Sequence, residues 1–177
     1  MSASTGKVLD LRPLFGITAT IVTPAEETGG CHVEMEVTAD PGSRTNIHCH
    51  PEQTESYKVL EGTLDVLHNG SWHRVPAGES FLVPHGSRHA FRNSSDTPVR
   101  FLNTHRPALQ VQSHLEALDR LVRSGKIRSM NNPKSLFYMC VSATTYQPDV
   151  SVKPPQRLVS TIGWLGRRMG LRVPNPA

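Results

Sequence analysis

The chain has 177 residues, 37% hydrophobic and 19% charged, with a formal net charge of +4. That length suits one domain with residues left over for an appendage, and it suffices to bury a sizeable core. No apolar run is long enough to span a bilayer, and the N-terminal MSASTGKVLDLRP does not read as a secretory signal. Cys31, Cys49 and Cys140 are an odd number in no disulfide or zinc-ribbon spacing, so they are expected to stay reduced in a cytoplasm, with no membrane partner. Charge is divided unevenly. Residues 1–110 carry nine Lys/Arg against twelve Asp/Glu, and residues 111–177 carry ten against three. The basic residues are spread out, hardly interleaved with aromatics and without a recognition motif, so no nucleic-acid partner is expected.

From about residue 17 to 105 the text reads as strands and turns. ITATIVT and HVEMEVT are short and rich in β-branched residues, and the second alternates Val33, Met35 and Val37 with His32, Glu34 and Glu36. ESYKVLEG, TLDVLHNG, SWHRVPAG and ESFLVPHG follow at short intervals, with Asn69-Gly70 as a hairpin turn. Closely spaced strands of this kind predict an antiparallel sandwich or barrel over residues 1–110. Near Pro107 the period changes. VQSHLEALDRLVRSGK puts Val111, Leu115, Leu118, Leu121 and Val122 on one helical stripe and ends at Gly125. PKSLFYMCVSATTY, capped by Asn131 or Asn132, and PPQRLVSTIGWLGRRMG read as two more helices. In the last, Leu158, Ile162, Leu165 and Met169 share a face expected to dock on the barrel, making 111–177 a helical extension of one domain.

The chemistry concentrates in GSRTNIHCHPEQTESYKVLEG. In a strand, residues two apart share a face, so His48 and His50 project together with Cys49 turned away, and Glu55 opens the next strand. Two imidazoles and a carboxylate suit a divalent first-row metal, although an HxH pair alone is equally well a polar surface pair. The second segment, GESFLVPHGSRHAFRN, adds Gly78, Pro84, Gly86, His89 and Asn93. Together with Gly42, His48, His50, Glu55 and Gly62, these ten positions resemble the paired motifs of the cupin superfamily, over about residues 30–105.

That resemblance implies a small jelly-roll β-barrel of the single-domain type, one divalent transition metal (Fe, Mn, Ni, Zn or Cu) on His48, His50, Glu55 and His89, and a homodimer. Three imidazoles and one carboxylate leave two octahedral positions open, and the site's net charge of about +1 favours an anionic chelating oxygen ligand. Arg44 shares parity with the histidines, as a substrate clamp or, more ordinarily, a rim ion pair. Tyr57 and Phe91 are expected to line the cavity, the phenol as a catalytic candidate beside plain lining. The facing of Asn103 and His105 is not decided by pattern, and His114 is expected at the surface. A metal-dependent enzyme acting on a small organic molecule, dioxygenase-like first, is one reading; a ligand sensor with a non-catalytic metal is the other.

Overall fold

A computed structural model describes residues 6–146 and 154–174. In chain order the elements are β1 (Val8–Asp10), α1 (Arg12–Phe15), β2 (Ile17–Thr23), β3 (Val33–Ala39), β4 (Thr54–Glu61), β5 (Thr63–His68), β6 (Ser71–Pro76), β7 (Ser80–Val83), β8 (His89–Arg92), β9 (Val99–Arg106), α2 (Val111–Arg123), α3 (Pro133–Tyr146) and α4 (Gln156–Arg168). The short β1 and α1 carry no periodic signal and were not anticipated. Residues 147–153 and 175–177 of the expected extension lie outside the described residues.

Alternation decides which way the strands face. Val33, Met35, Val37 and Ala39 are buried, and Glu34, Glu36 and Thr38 between them are not. Strands pair antiparallel in a six-stranded sheet, β1-β2-β3-β9-β4-β7, and a three-stranded sheet, β6-β5-β8, giving the mainly β, jelly-roll-like architecture expected. Asn69 and Gly70 turn β5 into β6 with φ of 48° and 94°, the positive values that a two-residue hairpin needs. Gly62, between β4 and β5, has φ of 80°, and a Cβ there would meet the Val99 side chain at 3.0 Å.

One strand expectation needs correction. His48 and His50 do not sit on a regular strand; their segment meets β8 through isolated bridges, Arg44 to Arg92 and His48 to His89, and through a bond from the Phe91 amide to the Thr45 hydroxyl. The Asn46 carbonyl accepts from the His48 ring two residues on instead of joining a ladder.

The main apolar cluster runs without a break from both sheets into the helices, taking in Tyr57 and Phe101 with Val111, Leu118, Leu121, Ile127 and Tyr138. Helix α2 is docked on its predicted stripe and is also tied by polar groups. The Lys7 ammonium donates to Glu116 at 2.8 Å, the Asp10 amide donates to Asp119 at 2.7 Å, and Arg123 donates to the Val8 carbonyl at 2.9 Å. Asn132 caps α3 by accepting from the amides of Lys134 and Ser135.

Helix α4 contradicts the expected face. Leu158, Leu165 and Met169 are exposed, while Val159, Gly163 and Gly166 are buried. The glycine side lies against α3, where a Cβ on Gly163 would come within 2.8 Å of the Cys140 carbonyl oxygen. Two glycines let the backbones approach closely, and that contact wins over the larger side chains. No described helix is long and apolar enough to cross a membrane.

Candidate metal centre

His48, His50, Glu55 and His89 each bring a ligand atom to a common point, all within 4.8 Å of one another. Their positions follow from the folding just described. The bridge between His48 and His89, with amide-to-carbonyl bonds of 2.9 Å in both directions, sets two of the imidazoles side by side. Glu55 reaches the same point from β4, and its Oε2 lies 2.7 Å from His89 Nε2, 3.3 Å from His50 Nε2 and 4.0 Å from His48 Nε2.

The rings are oriented from behind. His48 Nδ1 lies 2.8 Å from the Asn46 carbonyl oxygen, and His89 Nδ1 lies 2.9 Å from that of Ser87. A carbonyl only accepts, so Nδ1 carries a proton in both rings and Nε2 is the nitrogen turned to the cluster, where that of His89 donates to Glu55 when the ring is protonated. Neither ring nitrogen of the buried His50 has a hydrogen-bond partner among the described residues. A buried orphan of this kind costs free energy unless something satisfies it. Three imidazoles, one carboxylate and an unsatisfied nitrogen among them are a donor set that fits a divalent transition metal.

Electrostatics point the same way. Burial, reinforced by His89 and His50, lowers the His48 imidazole to about 3, so it is neutral at ordinary pH. Burial by itself would raise the Glu55 carboxyl, but the neighbouring His105 and His89 overcome it and hold the group well below the usual range. Burial likewise works against a charged His89, and Glu55 beside it turns the shift upward. Without a metal, the carboxylate and His89 share the balancing charge.

Two residues whose facing the pattern left open belong to this site. Asn103 and His105 lie on β9, and the β4–β9 register sets His105 opposite Glu55 and Asn103 opposite Tyr57. Asn103 Nδ2 donates to Glu55 Oε1 at 2.8 Å, and His105 Nε2 is 3.0 Å from Asn103 Oδ1 and 3.6 Å from Glu55 Oε1. Glu55 thus turns one oxygen to the histidine cluster and has the other held by an amide.

Beside the cluster is a cavity of about 210 Å³, lined largely by apolar side chains that include Phe15, Met35, Val37, Phe91, Leu115 and Met139. Phe91 lines it as expected. Tyr57 does not: it is fully buried in the core near Phe91 and Phe101, with ring centroids 6.0 and 5.8 Å away. Burial raises its phenol well above the ordinary value, Glu55 adding to the effect, so the hydroxyl stays protonated behind the carboxylate. Arg44 is exposed and absent from the cavity lining, which places it outside rather than as an inward clamp. Cys49 is no part of the cluster. His114, expected at the surface, lines the cavity instead. Its signal was present in the sequence: three residues after Val111 and four before Leu118, it shares their stripe.

Fold and site together define a small β-barrel built around a histidine–carboxylate cluster that could hold a metal ion. The sequence model of the cupin domain matches residues 35–105, so that stretch is similar to the cupin domain in sequence as well as in fold. It is 32% identical over 89 residues to the tetracenomycin polyketide synthase protein TcmJ of Streptomyces glaucescens, covering 48% of this chain and 57% of that protein. It is 35% identical over 68 residues to germin-like protein 5-1 of Oryza sativa subsp. japonica, covering 36% of this chain and 31% of that one. The chain therefore spans less than two thirds of the curated relatives it matches. Among solved structures, the polyketide cyclase RemF of Streptomyces resistomycificus superposes with a TM-score of 0.52 at 22% identity, over 60% of this chain and 77% of that one. That likeness is one of fold.

Proposed function

We propose that the chain holds one divalent transition metal on His48, His50, Glu55 and His89 and acts as an enzyme on a small, largely apolar molecule presenting two neighbouring oxygens. The observation that carries this reading is an apolar cavity opening onto a buried cluster of three imidazoles and a carboxylate. A divalent ion there leaves a net charge of about +1, which favours an enolate, phenolate or carboxylate. When bound, the metal supplies Lewis-acid polarisation and, if it is iron, access to O₂ chemistry.

The chain's own residues orient and enclose. The Asn46 and Ser87 carbonyls hold two imidazoles by their Nδ1 protons, and Asn103 holds the far oxygen of Glu55. Leu115 and Met139, from α2 and α3, add an apolar wall that limits water. Dioxygenase-like turnover is the first reading. A non-redox reaction such as ring closure is the second, favoured by the polyketide synthase name of one of the sequence relatives. Homodimer formation belongs to the same proposal, and sedimentation checks it.

Elemental analysis of the purified protein, followed by assay against chelating phenols and enols, tests the reading. About one iron per chain with substrate-dependent O₂ uptake supports the first reading. Another metal with substrate loss and no O₂ uptake supports the second. Tight ligand binding without turnover leaves a sensor, and a protein that takes up no metal sinks the proposal.

A further inference from the structure

Helix α2 sends one nitrogen-bearing side chain into a wall that is otherwise apolar. His114 lines the cavity from α2, between Val111 and Leu115 on the same helix, which line it as well. Its Nδ1 is 3.0 Å from the hydroxyl of Ser142 on α3, a residue with no exposed surface. Nothing among the described residues bonds its Nε2, so the second nitrogen is free for a partner in the cavity. The ring is therefore oriented by one buried hydroxyl and offers its other edge inward, the arrangement by which a site fixes a polar atom of a ligand. Burial lowers the imidazole to about 4, and it is neutral at ordinary pH, able to pair with an uncharged oxygen.

We infer that His114, oriented by Ser142, binds a second oxygen function of the substrate, a hydroxyl or carbonyl separated from the metal-chelating pair by an apolar body. The inference rests on the proposed metal-chelating function and narrows it. The substrate class becomes an apolar ring compound with oxygens at both ends, rather than any small chelator. Because α2 and α3 supply both residues, specificity for the distal end comes from the helical extension and not from the barrel. A helix-borne histidine also explains why a polar group sits on a stripe that otherwise docks apolar residues.

Hydroxypyranone chelators separate the two ends. Allomaltol and kojic acid share the same pair of chelating oxygens and differ by one hydroxyl on the opposite side of the ring; homologues with an ethyl or a hydroxyethyl arm extend the reach. Their binding to the full-length, zinc-loaded protein is measured by calorimetry, with metal content followed alongside. The expected result is about tenfold tighter binding of a hydroxyl-bearing compound over its alkyl counterpart, one hydrogen bond's worth. In His114→Leu that gap closes, and in Ser142→Ala, which removes only the orienting hydroxyl, it narrows. If His114→Leu does not fold, the narrowing in Ser142→Ala alone decides. Chelators that bind with no gap in the unaltered protein, or a gap unchanged in the variants, overturn the inference while leaving the metal reading intact. If no hydroxypyranone binds the zinc-loaded protein, the chelating-substrate part of the proposed function falls and this inference with it, whereas loss of the zinc itself would refute the metal site.

Discussion

The barrel and the helical extension use their polar and apolar residues in opposite ways. In the barrel, the buried polar groups Glu55, His89, Asn103 and His105 converge on one point, held there by strand register. In the extension, two buried acids, Glu116 and Asp119, fasten α2 to the barrel, and α4 leaves Leu158, Leu165 and Met169 exposed. A sheet with one buried face has only two choices of facing, and a shift by one residue would invert every side chain. A helix has several possible stripes, and which of them is covered depends on what happens to pack against it. Local pattern is therefore a firmer guide in the barrel.

The largest effect that would break this contrast concerns the metal. Replacing His50 and His89 together with Ala should abolish stoichiometric metal binding, since two of four ligands are lost, yet leave a cooperatively folding barrel. Elemental analysis and thermal unfolding read the two halves of that statement, and retained metal would refute the ligand assignment.

Next in size is Asp119→Ala. It strips the acceptor from the partly buried Asp10 amide and from Arg123, and an orphaned donor costs about 1–3 kcal/mol when fully buried, so the lower end is expected. A stability loss of about that size in denaturant melts, with metal content maintained, would show that the extension is fastened by polar groups as well as apolar ones.

Gly163→Ala pushes a methyl toward the Cys140 carbonyl oxygen and the Thr144 hydroxyl, 2.8 and 2.7 Å from an ideal Cβ. Overpacking of this kind costs about 1–3 kcal/mol, and here it is expected to loosen α4 from α3 without touching the metal. Limited proteolysis that cuts near α4 first would bear this out; an unchanged digestion pattern would count against the close helix contact.

A smaller effect depends on pH. Burial would raise the Glu116 carboxyl, but the hydrogen bonds from Lys7 and Gln112 outweigh it and lower the group. The unfolded chain then binds the proton more tightly than the folded one. The stabilisation is present above the unfolded carboxyl value of about 4.3 and disappears as pH falls through the folded value. Lys7 is half exposed, so the contribution should stay below about 1 kcal/mol. Lys7→Ala should flatten the acid limb of the stability profile, and a profile identical to that of the unaltered protein would remove Lys7 as the cause.

The smallest expected effect is Leu165→Glu, within about 0.5 kcal/mol, because the side chain is exposed. A loss several times larger would mean that the Leu158–Leu165 face is covered after all.

Read from the sequence alone, the strands from ITATIVT onward, the Asn69-Gly70 turn, all three long helices and the four residues of the candidate metal centre are already visible. The strands, the turn and the helices rest on spacing within a few residues, which alternation, helix periodicity and turn stereochemistry convert into geometry. The four-residue cluster rests on the resemblance of two motifs, since His48 and His50 lie on no regular strand. What lies beyond was decided by tertiary packing. Asn103 and His105 enter the site only because β9 pairs with β4 in one register, a contact made across more than forty residues of chain. Tyr57 shares Glu55's parity yet lies in the core, because parity names a face and not the depth behind it. His114 reaches the cavity because α2 closes over it, and α4 turns its glycines inward because α3 offers a backbone to lie against. Long-range pairing and the choice among helical faces are settled by total burial and hydrogen bonding of the whole fold, and no short stretch of residues carries that information.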